Sequence, residues 1–363
     1  WNVEQLPRNR TTIAALVRFA GRLDPLELRH RVDHASRVIP RLRQREVSDP
    51  RSIAPPRWSI DPDFRLSFHL RSLPAGGCDD GRLAEITREL IRQPFDRTRP
   101  LWEFSHITGL GGGDALLLKS HHAVSDGVGG VEMMLELFDL DADAPIAPDA
   151  WSSLPAPPAA PDHAGEPGFS LTREVAAALA ETRATLDRLD PDSVREASRG
   201  LGEALGSAAR MFRPGPAAGV PSARSDDLEV RFLSLPLDDL RRAGRLVDGT
   251  INDAFVSAVA LGVRTYFDDE PSHPLRVSVP INTRDGASAA GNQWTPGRID
   301  VAVDQTDDCT SLMANVRHAM RRARREPAHQ LLAPLASGLR RLPPAATASL
   351  FASFSGALDV AAS

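Results

Sequence analysis

Two apolar runs, residues 101–108 and 114–120, are separated by a glycine-rich segment from Gly109 to Gly113. Apolar runs on either side of a short glycine-containing segment are typical of paired strands, so the sequence predicts a hairpin or a short strand connection. Two histidines, an aspartate and a glycine follow the second run, and residues from about Gly127 to Phe138 have the pattern of a helix. A strand, a turn and a helix in this order are well suited to hold a reactive side chain at a strand end.

The residues before this segment are predicted to alternate between strands and helices. Asp24 followed by Pro25 is a favourable helix start, because proline is tolerated in the first turn. The predicted elements are a buried strand at 13–19, a helix from Asp24 to about Ser36, a strand from Arg65 to Arg71 and a helix from Asp79 to about Arg92. We assign residues 1–140 to an N-terminal α/β half.

The composition then changes. Residues 141–168 are rich in proline, alanine and aspartate with little periodicity, which is typical of a linker. Two alanine-rich amphipathic helices are predicted at about 170–188 and 192–212, followed by a Pro/Gly/Ser-rich stretch at 213–227. We expect residues 141–227 to form a long connection with helices.

A second α/β pattern occupies residues 228–363. Thr250 is a residue type favoured at a helix N-cap. The predicted elements are a strand at 229–235, a helix opening at Pro236, a helix from Thr250 to Phe267, strands at Leu275–Ile281 and 298–303, and basic helices within 309–342. Two halves with similar elements predict a protein of the α/β (α+β) class.

Charge and cysteine content exclude several functional classes. The net charge of -5 argues against a nucleic-acid-binding protein, which usually carries a basic excess. Cys78 and Cys309 are far apart and have no partner at metal-binding spacing, so neither a disulfide framework nor a zinc site is expected. No apolar run reaches the roughly 18 residues needed to span a bilayer. A reducing, cytoplasmic location is the default expectation.

The histidine pair supplies the clearest candidate chemistry. Adjacent side chains on a strand point to opposite faces, so one histidine should face a cleft while the other packs or hydrogen-bonds inside. Histidine suits proton removal near neutrality, since its unperturbed pKa is about 6.5. From residue chemistry alone, a structural role and a metal-binding role remain alternatives to catalysis.

The pattern His121-His122-Ala123-Val124-Ser125-Asp126-Gly127 resembles the HHxxxDG signature of the coenzyme A-dependent acyltransferase superfamily. The surroundings are more specifically similar to the bacterial wax ester synthase/diacylglycerol acyltransferase family. The similar blocks are Pro94 to Glu103 with its Pro-Leu-Trp, Leu116 to Gly130, Asn252-Asp253, Val277 to Arg284, and Gly291-Asn292. The family normally also has residues before the position of Trp1 and after that of Ser363, so we expect this chain to be incomplete at its ends.

The resemblance implies a fold and a reaction. The fold would be two chloramphenicol-acetyltransferase-like halves, each a mixed sheet with helices, with an active-site tunnel between them. The reaction would transfer a long-chain fatty acyl group from acyl-coenzyme A to diacylglycerol or a long-chain alcohol. Acyl-coenzyme A is a substrate, and no cofactor and no metal are implied.

The resemblance also implies roles for individual residues. His122 would be the base that removes the acceptor's hydroxyl proton. Asn252 would lie near the tetrahedral oxyanion, although it could instead bond its own backbone at the helix start. His121 and Gly127 would support the site, as would an ion pair between Asp126 and Arg284, although Arg284 could be a solvated surface residue. Substrate-channel candidates are Pro100, Leu101, Trp102 and Asp253, and Trp102 is also explained as a core residue.

Alternative functions remain open at this stage. One is a sister acyltransferase that uses carrier-bound or polyketide-type substrates, and another is a catalytically silent lipid-binding homologue. Lipid acceptors lead us to expect contact with the inner membrane or with lipid droplets. The arginine-rich segment 309–342 could provide such a surface, although a run of charge is more often a solvated helix face.

Overall fold

The structure is a computed structural model that describes residues 11–47, 57–125, 127–139, 141, 154–158, 227–266, 274–282, 294–303, 308–326, 348–349, 351–352 and 358–362. The predicted helices at 170–188 and 192–212 lie outside these ranges, as does most of the predicted linker. The boundaries proposed at residues 140 and 227 therefore stay predictions.

The N-terminal part is built around one mixed four-stranded sheet. Its elements are β1 (Thr12–Phe19), α1 (Pro25–Val38), a 3-10 helix (Pro40–Arg43), β2 (Gln44–Val47), β3 (Arg57–Ile60), α2 (Leu66–His69), β4 (Leu70–Pro74), α3 (Asp80–Arg92), β5 (Trp102–Leu110), β6 (Gly113–His121) and α4 (Gly127–Leu137). The strand order is β1-β6-β5-β4, while β2 and β3 form a separate two-stranded sheet. β6 is antiparallel to β1 and β5, and β4 is parallel to β5.

Helices cover both faces of this sheet. One face carries Trp102, Phe104, Leu116 and Leu118, which share a buried cluster with residues of α1 and α4. The other face carries Ile107, Ala115 and Leu117, which pack with Leu83 of α3. Burial on both sides explains the long apolar runs of β5 and β6, because side chains on both faces of these two strands are removed from water.

Several sequence predictions for this part are confirmed. The hairpin is β5–β6, and the predicted helices correspond to α1, α3 and α4. Asp24 and Asp79 cap α1 and α3 through side-chain oxygens that accept backbone N–H groups of Leu26 and Arg82.

Two predictions for the N-terminal part need correction. The strand at 13–19 exists, but β1 is an edge strand and is only partly buried. The strand expected from Arg65 to Arg71 is instead a short helix, Leu66–His69, followed by β4. Leu66 and His69 are both buried, and this spacing of three suits one helix face better than alternating strand faces.

The C-terminal part contains α5 (Leu237–Arg245), α6 (Ile251–Tyr266), β7 (Leu275–Asn282), β8 (Trp294–Val301), α7 (Cys309–Arg324) and β9 (Val360–Ala361). Its sheet has the order β8-β7-β9. Apolar residues of β7 and β8 form a core with Val256 of α6 and with Leu312 and Val316 of α7. These elements confirm the predicted helices from Pro236 to Arg324 and the strand at 275–281, whereas the strand predicted at 298–303 spans Trp294–Val301.

The strand predicted at 229–235 is wrong. Residues 227–236 have no regular secondary structure, and Leu233 and Leu235 have exposed fractions of 84% and 55%. Alternating apolar residues form a strand only where a neighbouring strand supplies hydrogen bonds, and no ladder within the described ranges includes these residues.

Candidate active site

His121 is the last residue of β6 and is buried, with 2% of its surface exposed. Its backbone N–H donates to the carbonyl oxygen of Leu101, N···O 2.9 Å. Its Nδ1 atom accepts the backbone N–H of Ala123 at 2.9 Å, and its Nε2 atom lies 3.4 Å from Oγ1 of Thr11. An Nδ1 atom that accepts a hydrogen bond carries no proton, so this contact corresponds to the tautomer with its proton on Nε2.

His122 is the first residue of the turn between β6 and α4, and it is half-buried. Its backbone N–H donates to the carbonyl oxygen of Thr11 at 2.7 Å. The next turn contact joins the N–H of Val124 to the carbonyl oxygen of His121 at 2.8 Å. These bonds fix the backbone on both sides of His122 while part of its surface stays accessible.

The supporting residues after the histidines are only partly described. Gly127 is the first residue of α4, as expected for the turn into the helix. Asp126 and Arg284 lie outside the described residues, so the ion pair between them stays a prediction.

Pro100 and Leu101 directly precede Trp102, the first residue of β5, and Leu101 is hydrogen-bonded to His121. All three are buried, with exposed fractions of 1% for Leu101 and 0% for Trp102. Trp102 donates its Nε1–H to the carbonyl oxygen of Leu42 at 2.7 Å and stacks on His69 with ring centroids 4.5 Å apart. These are the contacts of core residues that support the histidine strand, and the channel role stays an untested prediction.

His69, which stacks on Trp102, has a shifted pKa. Burial lowers the pKa of His69 below its usual value, and the hydrogen bond between its Nδ1 and the carbonyl oxygen of Trp102 opposes this only in part. The ring is therefore held in its neutral form in the folded protein.

Asn252 and Asp253 occupy the first turn of α6 but have different surroundings. Asp253 is buried, and its Oδ2 atom accepts the backbone N–H of Thr250 at 2.7 Å and the Thr250 hydroxyl at 2.9 Å. Thr250 and Asp253 thus form a reciprocal cap of the kind found at helix starts. Asn252 is half-buried in the same turn, and both interpretations of it, a donor to the oxyanion and a residue that bonds its own helix start, stay predictions. Asp253 has the contacts of a cap, and its channel role stays a prediction.

Lys119 is the only lysine in the sequence, and the sequence patterns alone do not indicate a role for it in the site. It lies two residues before His121 on β6 and is 2% exposed. Its Nζ atom donates to the carbonyl oxygen of Gln93 at 2.7 Å and lies 3.2 Å from Oε2 of Glu103. The feature of the sequence that could have indicated this site is a lysine directly after the apolar run Leu116–Leu118, since lysine is rarely buried without a partner.

No group of three His, Cys, Asp or Glu side chains within the described ranges could hold a metal ion. None of the helices described there is long and apolar enough to cross a membrane.

The mixed sheet, its histidine turn and the second α/β part place the protein in the α/β class. The model of the wax ester synthase/diacylglycerol acyltransferase catalytic domain matches residues 10–255. The chain belongs to this family.

Curated relatives agree with this assignment. A protein of Mycobacterium tuberculosis H37Rv with the provisional name diacylglycerol O-acyltransferase is 32% identical over 371 residues, which cover 99% of this chain and 75% of the relative. The tgs1 protein of the same strain, also provisionally named a diacylglycerol O-acyltransferase, is 28% identical over 296 residues, covering 79% of this chain and 56% of the relative.

Solved structures show the same fold at lower identity. The wax ester synthase/diacylglycerol acyltransferase from Marinobacter aquaeolei VT8 matches with a TM-score of 0.55 at 19% identity, covering 97% of this chain and 76% of that one. The first condensation domain of the calcium-dependent antibiotic synthetase matches with a TM-score of 0.56 at 20% identity, covering 97% and 74%. Both likenesses concern the fold alone.

Proposed function

We propose that this chain transfers a long-chain acyl group from acyl-coenzyme A to the hydroxyl of diacylglycerol or of a long-chain alcohol. The observation that carries the proposal is the geometry of the histidine turn. His121 is buried and its Nδ1 is occupied by a backbone N–H, while the neighbouring His122 keeps accessible surface on a fixed turn. Membership of the family and the names of its relatives supply the reaction class.

In the proposed reaction, His122 removes the proton from the acceptor hydroxyl as the oxygen attacks the thioester carbonyl carbon. The tetrahedral intermediate then collapses, the carbon–sulfur bond breaks, and the proton passes from His122 to the departing thiolate. No serine or cysteine nucleophile is required, so both substrates bind before chemistry begins. A well-placed general base of this kind contributes roughly 10²–10⁴-fold to the rate.

Asn252 is the proposed donor to the oxyanion of the intermediate. The cap of α6 is formed by Thr250 and Asp253, and Asn252 is a half-buried residue of the same first turn. His122 and Asn252 lie in different halves of the chain, as expected for a site formed between the halves. Such a site would also keep water away from the thioester and so limit hydrolysis.

A lipid acceptor implies contact with a lipid surface. Arg321, Arg322, Arg324 and Arg325 are exposed at the end of α7, and a cluster of arginines attracts anionic headgroups. This cluster supports the proposal that the chain works at a membrane or droplet surface.

The test is a product analysis with palmitoyl-coenzyme A as donor and diacylglycerol, hexadecanol or no acceptor added. We expect triacylglycerol or wax ester, and the faster acceptor identifies the branch. A parallel reaction offers a palmitoyl thioester of a carrier protein. Transfer from the carrier alone would show that the proposed donor is wrong, and no acylated product from either donor in a folded sample would overturn the function.

A further inference from the structure

Lys119 presents its ammonium group on the same face of β6 as His121, because side chains two residues apart on a strand share a face. Its direct partner across the β5–β6 ladder is Glu103, whose side chain is 24% exposed and lies within ion-pair distance. The site thus places a nearly inaccessible positive charge next to the histidine motif.

The position of Lys119 relative to α3 is also specific. Gln93 is the C-cap residue of α3, and its carbonyl oxygen accepts the ammonium of Lys119 at 2.7 Å. The C-terminal end of a helix carries partial negative charge, so it favours a cation there. Lys119 therefore anchors the end of α3 and the following residues over this face of the sheet.

Phe95 connects Lys119 to the first histidine. The Lys119 ammonium lies 4.5 Å from the centroid of the Phe95 ring, which is within range of a cation–π contact. The same ring makes an edge contact with the His121 ring, with centroids 6.2 Å apart. Phe95 is thus held by Lys119 on one side and bounds His121 on the other.

Burying the ammonium of Lys119 is an expensive way to stabilise a fold, because apolar residues of similar volume often serve equally well or better than a buried charge. A role in fixing one geometry accounts for its presence here. This chain uses arginine at its other basic positions, and a planar guanidinium differs in shape and in hydrogen-bond directions from the compact ammonium that contacts a carbonyl oxygen, a carboxylate and a ring here.

We infer that Lys119 is a positioning residue for the proposed acyl transfer. Through Phe95 it holds the His121 ring in the orientation in which Nδ1 accepts the Ala123 N–H, and that bond fixes the turn that carries His122. The inference rests on the proposed function for its catalytic consequence. Its structural step, from Lys119 to the state of the His121 ring, is independent of activity.

The test compares the wild-type chain with Lys119→Met, which keeps the length of the side chain and removes its charge. Arg18→Met is the matched control, because Arg18 lies on β1 of the same sheet in an exposed ion pair with Asp80. We expect kcat of Lys119→Met to fall roughly tenfold to a hundredfold, as small misplacements of a catalytic group can cost. KM for palmitoyl-coenzyme A should stay close to the wild-type value, and the control should keep its kcat.

A second readout is the ¹⁵N spectrum of histidine-labelled protein, in which the His121 ring nitrogens report which of them carries the proton. We expect Lys119→Met to shift these signals and Arg18→Met to leave them unchanged. Phe95→Leu serves as a second variant if Lys119→Met does not fold, and it should produce the same two effects.

A folded variant with wild-type kcat would overturn the inference, and so would a loss of kcat with unshifted His121 signals. If the wild-type chain has no acyl-transfer activity, the proposed function fails. The histidine spectrum then decides the structural step alone, and unshifted signals overturn that step as well.

Discussion

The Nδ1 atom of His121 accepts the backbone N–H of Ala123 at 2.9 Å, so the first histidine of the motif closes the turn that presents the second. The two adjacent histidines therefore have different surroundings. His121 provides a fixed acceptor inside the protein, and His122 retains the accessible surface that a base requires.

The effect of replacing His121 on activity should depend on whether the new side chain can still accept the backbone N–H of Ala123. The side-chain oxygen of asparagine can take the place of Nδ1, whereas alanine offers no acceptor and leaves the Ala123 N–H unpaired. We expect His121→Asn to retain much more kcat than His121→Ala, whose loss should be on the order of tenfold to a hundredfold. Equal activity of the two variants in steady-state assays would contradict the acceptor role.

Asn252 and Thr250 are two residues apart, but replacing each with alanine should affect different properties: kcat for Asn252 and the free energy of unfolding for Thr250. Asn252→Ala should lower kcat by roughly 10²–10³-fold, the usual effect of losing an oxyanion donor, with little change in the free energy of unfolding. Thr250→Ala should cost about 1 kcal/mol of stability through loss of the cap and lower kcat far less. Urea unfolding and steady-state kinetics on both variants check this pair. A purely destabilising effect of Asn252→Ala would remove it from the proposed chemistry.

Trp102→Phe distinguishes a core tryptophan from a channel-lining one. The substitution leaves the buried carbonyl oxygen of Leu42 without its Nε1–H donor, which should lower the free energy of unfolding by about 1–3 kcal/mol. We expect the relative rates with lauroyl-, palmitoyl- and stearoyl-coenzyme A to stay unchanged. A changed chain-length preference at wild-type stability would instead place Trp102 at the channel.

The stability of the protein should fall on mild acidification because of His69. Burial lowers the pKa of this group in the folded state below the ordinary value of 6.5, so the unfolded chain binds the proton more readily. The stabilisation is complete above about pH 6.5 and is lost as the pH falls towards the folded-state pKa. His69→Gln should lose less stability than wild type between pH 7 and pH 5, measured by urea unfolding. An identical pH dependence would show that His69 is not the group responsible.

The parts of the fold that the sequence predicts well depend on neighbouring residues. Asp24 and Asp79 cap helices through backbone groups two or three residues away, and such short-range bonds can be read from the sequence. The helix Leu66–His69 stands where the sequence predicts a strand, and one of its contacts, from His69 to the carbonyl oxygen of Trp102, joins residues 33 apart in the sequence. The stretch 229–235 has the alternation of a strand, but alternation alone does not supply a pairing partner.

In the candidate site, too, the sequence predicts features set by neighbouring residues and misses those set by distant ones. Alternation along β6 predicts that the two histidines differ in surroundings, and the burial of His121 confirms its inward position. The contacts of Lys119 could not be predicted from the sequence. Predicting them would require knowing both the register of β5 on β6 and the position of the end of α3. The single lysine was visible in the sequence, yet its partners are 16 and 26 residues away.

The most direct measurement of the central claim is acceptor-dependent thiol release from palmitoyl-coenzyme A by wild type, His122→Ala and His318→Ala. His318 is an exposed histidine of α7 and serves as the matched control. The account predicts that His122→Ala loses roughly 10²–10⁴-fold in rate while folding normally, and that His318→Ala keeps wild-type activity. Acceptor-dependent release that survives in folded His122→Ala would contradict the assignment of His122 as the base.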